Sequence, residues 1–195
     1  MKIINAEFII GAASPGQFPS TSLPEVAFAG KSNVGKSSLI NTLVNRKSLV
    51  KTSSTPGKTR QINFFLINNA FRLVDLPGYG FARAPKAEQA NWQRLIESYL
   101  RDGEHLRVVV LIVDIRHTPS PLDQQMIDWL RAYQRPFLVV ANKSDKLKRS
   151  QIPRHLEQLR QGLGLEATPM VFSAQTGTGK GELSSAIGSY LGRGK

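Results

Sequence analysis

Residues 30–37 read Gly-Lys-Ser-Asn-Val-Gly-Lys-Ser, a G-x-x-x-x-G-K-[ST] pattern between an apolar run at 26–29 and a helical pattern at 37–44. Its glycines allow the backbone to wrap so that N–H groups face phosphate oxygens, with the positive end of the following helix behind them. Lys36 is placed to neutralise the β- and γ-phosphates, and the Ser37 hydroxyl can hold Mg²⁺. The expected phosphate contacts are Gly30, Lys31, Ser32, Asn33, Val34, Gly35, Lys36 and Ser37. The motif indicates a nucleoside phosphate and says nothing about the base.

The base is addressed by Asn142, Lys143, Ser144 and Asp145, directly after an apolar run at 137–141. A carboxylate at Asp145 can accept from guanine N1–H and from its exocyclic amino group. Adenine offers neither donor there, and a site built on such bonds discriminates by about 10⁴–10⁵. Asn142 is expected to brace the loop and the Lys143 stem to cover one face of the base. Phe172, Ser173 and Ala174 close the last short strand, where a backbone N–H can meet guanine O6.

A third group senses the γ-phosphate. Asp75, Leu76, Pro77 and Gly78 close a strand at 71–74. There Asp75 suits a water-mediated Mg²⁺ partner, and the Gly78 N–H is free to bond the γ-phosphate and be released after hydrolysis. Upstream, Thr55-Pro-Gly-Lys-Thr59 offers two threonines to complete the Mg²⁺ shell; Thr59, just ahead of a strand, is preferred. Lys36, Thr59 and Gly78 are thus the expected catalytic groups, with Ser37 and Thr59 as metal ligands. Tyr79 occupies the position where many domains of this kind carry a water-orienting glutamine, which predicts slow turnover.

These groups need a scaffold. Apolar runs at 26–29, 61–67, 71–74, 108–113, 137–141 and 170–172 alternate with helical patterns at 37–44, 86–101, 121–133, 152–161 and 182–191. That order predicts an α/β fold in three layers: a mixed, mostly parallel six-stranded sheet with helices on both faces. Its ligand lies beyond the carboxyl ends of the strands, where every motif above falls. One domain is expected over 1–195, with a loop at 11–24 and a short basic tail at 192–195.

Charge adds a second theme. The chain has 26 Lys+Arg against 14 Asp+Glu, a formal net charge of +12, and no cysteine. Disulfides, thiolate metal sites and thiol catalysis are therefore excluded. No apolar run approaches a bilayer's thickness and nothing reads as a signal peptide, so a cytoplasmic protein is expected. No carboxylate lies between Glu25 and Asp75, whereas Lys31, Lys36, Arg46, Lys47, Lys51, Lys58, Arg60 and Arg72 do. Such an excess favours a polyanionic partner. Arg46, Lys47, Lys51, Lys146, Lys148, Arg149, Arg154 and Arg160 are not used by the nucleotide chemistry; they are candidates to face RNA, the alternative being a solvated basic surface. The scattered His105, His117 and His155 have no metal-ligand spacing.

GKSNVGKSSLIN (30–41), TPGKTRQINFF (55–65), LVDLPGYGFA (73–82) and DIRHTPSPLDQQMIDWL (114–130) together resemble the EngB-type (YihA/YsxC) bacterial GTP-binding proteins. The P-loop G-domain fold and a Mg²⁺-dependent GTPase in large ribosomal subunit assembly are what the resemblance implies. So is a link to normal cell division and septation. By position it places nucleotide contacts at Gly30–Ser37, Gly57, Lys58, Thr59, Arg60, Gln61, Asp75–Gly78, Asn142–Asp145 and Phe172–Ala174. Asn33 matches a position where related bacterial GTPases hold K⁺; the alternative is an Asn that stabilises the loop turn. The implied partner is the large subunit or its precursor, through ribosomal RNA or protein. A reader of DNA sequence is not expected, and the chain is expected to be a monomer. The competing reading is a basic ribosomal-RNA-binding module that keeps GTP as a structural cofactor. An ATP-dependent kinase is disfavoured by Asn142–Asp145.

Overall fold

The computed structural model describes residues 3–20, 22–50, 61–80 and 86–192, with the side chains of 86–89 excepted. Seven strands form one sheet: β1 (Ala6–Ala12), β2 (Glu25–Gly30), β3 (Ile62–Ile67), β4 (Phe71–Asp75), β5 (Leu106–Asp114), β6 (Phe137–Asn142) and β7 (Met170–Val171). The order is β1-β3-β4-β2-β5-β6-β7. β1–β3 and β3–β4 pair antiparallel, and every other neighbour is parallel. Five helices join them: α1 (Lys36–Leu43), α2 (Lys86–Asp102), α3 (Pro121–Ala132), α4 (Ile152–Gly162) and α5 (Lys180–Leu191).

The expected architecture holds, with one strand more than the six expected. β1 spans part of the stretch expected to be a loop at 11–24, which also contains a short 3₁₀ turn at Pro15–Gln17. Two features hide β1 in the sequence. It is an edge strand, so Phe8 and Ile9 stay exposed. It also carries a bulge between Phe8 and Ile10, which breaks the two-residue alternation. The Asn68–Asn69 turn is a hairpin as expected: both residues have positive φ (52° and 53°), which suits the twist of the flanking strands.

The run at 108–113 divides by alternation. Val109, Leu111 and Val113 face α2, α3 and α4, packing with Leu95, Ile96, Met126, Ile127, Leu130 and Leu159. Val108, Val110 and Ile112 face α1 and α5, packing with Leu39, Ile40, Leu43, Leu183 and Ile187. Two apolar layers therefore clamp a sheet buried on both faces, each fully buried aliphatic side chain contributing about 1.5–3 kcal/mol. Trp92 is buried, and Trp129 is half-buried against the first layer. At the edge remote from the motifs, Arg72 pairs with Glu25 at 2.7 Å and Tyr99 donates to the same carboxylate at 2.7 Å. Burial pushes the Glu25 carboxyl up, opposed by the hydrogen bond from Tyr99 and the charge of Arg72. Among the described residues no helix is long and apolar enough to cross a membrane.

Candidate nucleotide site

The loop of residues 31–35 leaves the carboxyl end of β2 and delivers the chain into α1. Two left-handed residues shape it, Asn33 (φ 64°) and Gly35 (φ 94°). At Gly35 glycine is required twice over: a Cβ there would also stand 2.5 Å from Nδ2 of Asn142. Asn142 donates to the Val34 carbonyl at 3.0 Å and accepts from the Ala174 amide at 3.3 Å, bracing the loop as the sequence predicts. Lys143 Nζ donates to the Asn33 carbonyl at 2.8 Å. The phosphate loop and the loop after β6 are thus one bonded unit, and α1 points its free N–H groups into the concavity.

Lys36 Nζ is ion-paired with Asp75 Oδ1, both side chains being largely buried. Phosphate oxygens can replace Asp75 as the partner of Lys36, releasing the carboxylate toward a metal. Ser37, half-buried at the start of α1, has a hydroxyl that no other described residue engages. One hydroxyl and one carboxylate are hard oxygen donors of the kind Mg²⁺ takes beside substrate phosphates. Among the described residues there is no cluster of three or more His, Cys, Asp or Glu that would form a protein-only cage. The donor set therefore fits Mg²⁺ shared with a nucleotide. Thr59, the second expected ligand, lies outside the described residues, as do Thr55, Gly57, Lys58 and Arg60. Gln61 is exposed and immediately precedes β3.

In the loop after β6, Lys143 is left-handed (φ 67°) and Ser144–Lys146 form a 3₁₀ turn. The Ser144 amide donates to the Phe172 carbonyl at 3.1 Å, joining this loop to the end of β7. Ser173 Oγ donates to Asp145 Oδ1 at 2.7 Å, and Lys146 stands 3.3 Å from the other oxygen. The Ser173 hydrogen bond, with help from Lys146, holds the Asp145 carboxyl below its usual range. Sequence reasoning gave Ser173 only a backbone role. Its hydroxyl also aims the carboxylate, so Asp145 has partners before any base arrives.

After β4, the Leu76 amide bonds the Phe28 carbonyl at 3.0 Å and Leu76 is fully buried. The following residues lie along the phosphate loop: the Ser32 amide donates to the Tyr79 carbonyl at 2.8 Å, and the Tyr79 amide to the Gly30 carbonyl at 3.3 Å. A Cβ on Gly78 would stand 3.4 Å from Ser32 Cα. Tyr79 itself is buried, with its hydroxyl bonded to Asp123 Oδ1 at 2.7 Å. Burial and the Asp123 carboxylate push the phenol well above its ordinary pKa.

Sequence reasoning missed the work of Asp114, the last residue of β5. Its carboxylate accepts from Lys143 Nζ at 2.9 Å and from Arg116 Nε and a terminal guanidinium nitrogen at 2.9 and 2.7 Å. Burial opposes its ionisation, but the hydrogen bonds from Arg116 and Lys143 hold the carboxyl well below its usual range. The usable signal was register: Asp114 lies beside Asn142 in the β5–β6 ladder. A cavity of about 330 Å³, lined by Lys31, Asn33, Asp114, Arg116, Ser120 and Lys143 among others, opens beside these groups.

The spare cations divide. Arg160 is committed to Glu157 at 2.7 Å, Lys146 to Asp145, and Arg46 to the Ile4 carbonyl at 3.0 Å. Lys47, Lys148, Arg149 and Arg154 are exposed and form no ion pair with a described residue. Lys51 lies outside the described residues.

Residues 25–143 match the family model of the 50S ribosome-binding GTPases. Over 194 residues, 98% of either chain, the sequence is 53% identical to a probable GTP-binding protein EngB of Pelotomaculum thermopropionicum. A crystal structure of a probable GTP-binding protein EngB superposes with a TM-score of 0.73 at 28% identity, covering 86% of this chain and 98% of the other. The structure of Era with MgGDPNP and nucleotides of 16S ribosomal RNA superposes at 0.69 with 25% identity, covering 89% of this chain and 58% of Era.

Proposed function

We propose that this chain, which belongs to the EngB-type GTP-binding proteins of the 50S ribosome-binding GTPase family, is a Mg²⁺-dependent switch in assembly of the large ribosomal subunit. Binding GTP and hydrolysing it are properties of that family. The subunit-assembly role, a cytoplasmic setting and a link to cell division and septation are our reading. The nucleotide-binding part of the proposal is carried above all by Asn142, whose amide joins Val34 to Ala174 and so makes one cradle of the phosphate and base loops. The ribosomal part is supported by the match to the 50S ribosome-binding family model.

Phosphoryl transfer to water calls for in-line positioning and neutralised charge more than covalent help. Lys36 exchanges Asp75 for β- and γ-phosphate oxygens, while the amides of Asn33, Gly35, Lys36 and Ser37 bind the remaining charge. Those of Ser32 and Val34 are already given to the Tyr79 and Lys31 carbonyls. Ser37 and Thr59 would hold Mg²⁺, which when bound supplies further neutralisation of the β- and γ-oxygens. The Gly78 N–H binds the γ-phosphate, and Asp145 accepts from the guanine edge while Lys143 covers its face. With its hydroxyl committed to Asp123, Tyr79 cannot orient the attacking water, so intrinsic turnover is slow. A K⁺ ion beside Asn33 would add charge stabilisation; the left-handed φ of Asn33 alone is also a sufficient reason for an Asn there.

We assign the exposed Lys47, Lys148, Arg149 and Arg154 to contacts with ribosomal RNA. The solved relative Era, bound to MgGDPNP and to ribosomal RNA, supports pairing a domain of this fold with such a partner. The test is co-sedimentation with large ribosomal subunits in a GTP analogue, in GDP and without nucleotide, across a salt series. A switch binds differently in the two nucleotide states and, by linkage, the subunit raises affinity for the favoured nucleotide. Nucleotide-independent, steeply salt-sensitive binding would instead establish the basic module with GTP as a structural cofactor.

A further inference from the structure

Lys143 is held at both ends. Its backbone is left-handed inside the loop after β6, and its ammonium bonds two groups from two other elements, the Asn33 carbonyl at 2.8 Å and Asp114 at 2.9 Å. The four-carbon stem is thereby fixed at its two ends. Asp114 cannot swing away from this contact freely. Arg116 grips both of its oxygens, and the Arg116 amide adds a bond at 3.1 Å. The Ile115 amide bonds the Asn142 carbonyl at 3.0 Å, fixing the end of β5 against the base loop. Asp114 has a side chain 12% exposed and that of Lys143 is 26% exposed, so the pair is partly shielded from water on the carboxylate side.

We infer that Asp114 is a positioning residue for the guanine ring: it anchors the Lys143 ammonium so that the lysine stem stands as a fixed wall for the base. The inference rests on the reading above that Lys143 covers the base. Asp114 itself touches neither base nor phosphate. Its contribution is preorganisation, because a long flexible side chain already fixed at both ends loses less freedom when the base lies on it. Because a wall acts on the ring face, its loss weakens GTP and GDP alike and leaves discrimination at the ring edge unchanged.

The test measures equilibrium binding of GDP, a GTP analogue and inosine diphosphate, which lacks the amino group, to wild type, Asp114→Asn, Lys143→Ala and the double variant. Active protein is counted by titration, and thermal unfolding is followed without nucleotide. Asp114→Asn is expected to weaken GDP and the GTP analogue by about 10-fold each, the scale of a lost charge-assisted bond. The GDP to inosine diphosphate ratio should stay at its wild-type value, and the double variant should bind no worse than Lys143→Ala alone. Unchanged affinity in Lys143→Ala would overturn the reading of Lys143, and this inference with it. Weakened binding in Lys143→Ala with normal binding in Asp114→Asn, or additive losses, would overturn the inference alone. So would a lower unfolding temperature in Asp114→Asn with unchanged affinity, which marks a purely structural role.

Discussion

Tyr79 donates its phenolic hydrogen to Asp123 at 2.7 Å, tying the residue after Gly78 to the first turn of α3. The other Asp123 oxygen accepts from Ser120 N and Oγ at 2.8 and 2.7 Å, so one carboxylate both caps the helix and latches the loop after β4. Movement of Gly78 toward a γ-phosphate must drag the start of α3 or break this bond.

Tyr79→Phe tests the latch. It leaves a buried carboxylate oxygen without its donor, which costs about 1–3 kcal/mol. For a chain of this size each kcal/mol lowers the unfolding temperature by roughly 2–4 °C. Intrinsic GTP hydrolysis should not fall, because the hydroxyl faces α3 and not the phosphates, and it should rise to the extent that the latch restrains Gly78. A calorimetric scan beside a phosphate-release assay measures both.

Much of this was written in the residues, and the latch was not. Gly30–Ser37 and Asn142–Asp145 are contiguous words whose chemistry follows from residue type and spacing. The hairpin at Asn68–Asn69 is just as local. Tyr79–Asp123 and Asp114–Lys143 join residues far apart in the chain, and only the sheet order brings them together. Charge is a different case: Glu157 and Arg160 lie three residues apart within the helix expected at 152–161, so their pairing was legible in the sequence and was overlooked. β1 escaped because an edge strand with a bulge has neither the burial nor the alternation that marks a strand.

Asp145→Asn should change which base is bound. The amide cannot accept from both guanine donors, so GDP binding weakens by about 10–100-fold, the scale of lost charge-assisted bonds. Xanthine carries a carbonyl in place of the amino group, and the Asn amide can donate to it. Competition of GDP and xanthosine diphosphate for wild type and variant gives the readout, with a reversal of preference expected.

Hydrolysis in KCl should exceed hydrolysis in NaCl at equal ionic strength if Asn33 helps to hold K⁺. Equal rates would leave Asn33 as a residue chosen for its left-handed backbone alone.

Reversing Lys148 and Arg149 to Glu should weaken binding to large ribosomal subunits, flatten its salt dependence and spare GTP affinity. Both side chains lie outside the nucleotide cradle. Reversing Arg160 should instead disturb α4, because its guanidinium is bonded to Glu157 and to the Leu165 carbonyl.

Acid should expose the role of Asp114 in stability. Its carboxyl is held below its ordinary value of 3.8, so in acid the folded chain binds fewer protons there than the unfolded chain. The contribution is complete above the unfolded value and lost as pH falls toward the folded one. The urea midpoints of wild type and Asp114→Asn should therefore differ near neutrality and begin to converge only as pH falls below about 4. A gap that stayed constant into acid would contradict the assigned ion pairs.

β1 also has a bearing on how the chain is made. Among the described residues it pairs only with β3, whose residues 62–67 follow it by about fifty positions. During synthesis, Phe8 and Ile9 leave the ribosome long before the strand that will flank them exists. Because pairing across such a separation must await the later segment, the first strand translated cannot nucleate the sheet. It can pair only once residues 62–67 have been made, so this edge strand stays without its partner while the intervening chain is synthesised.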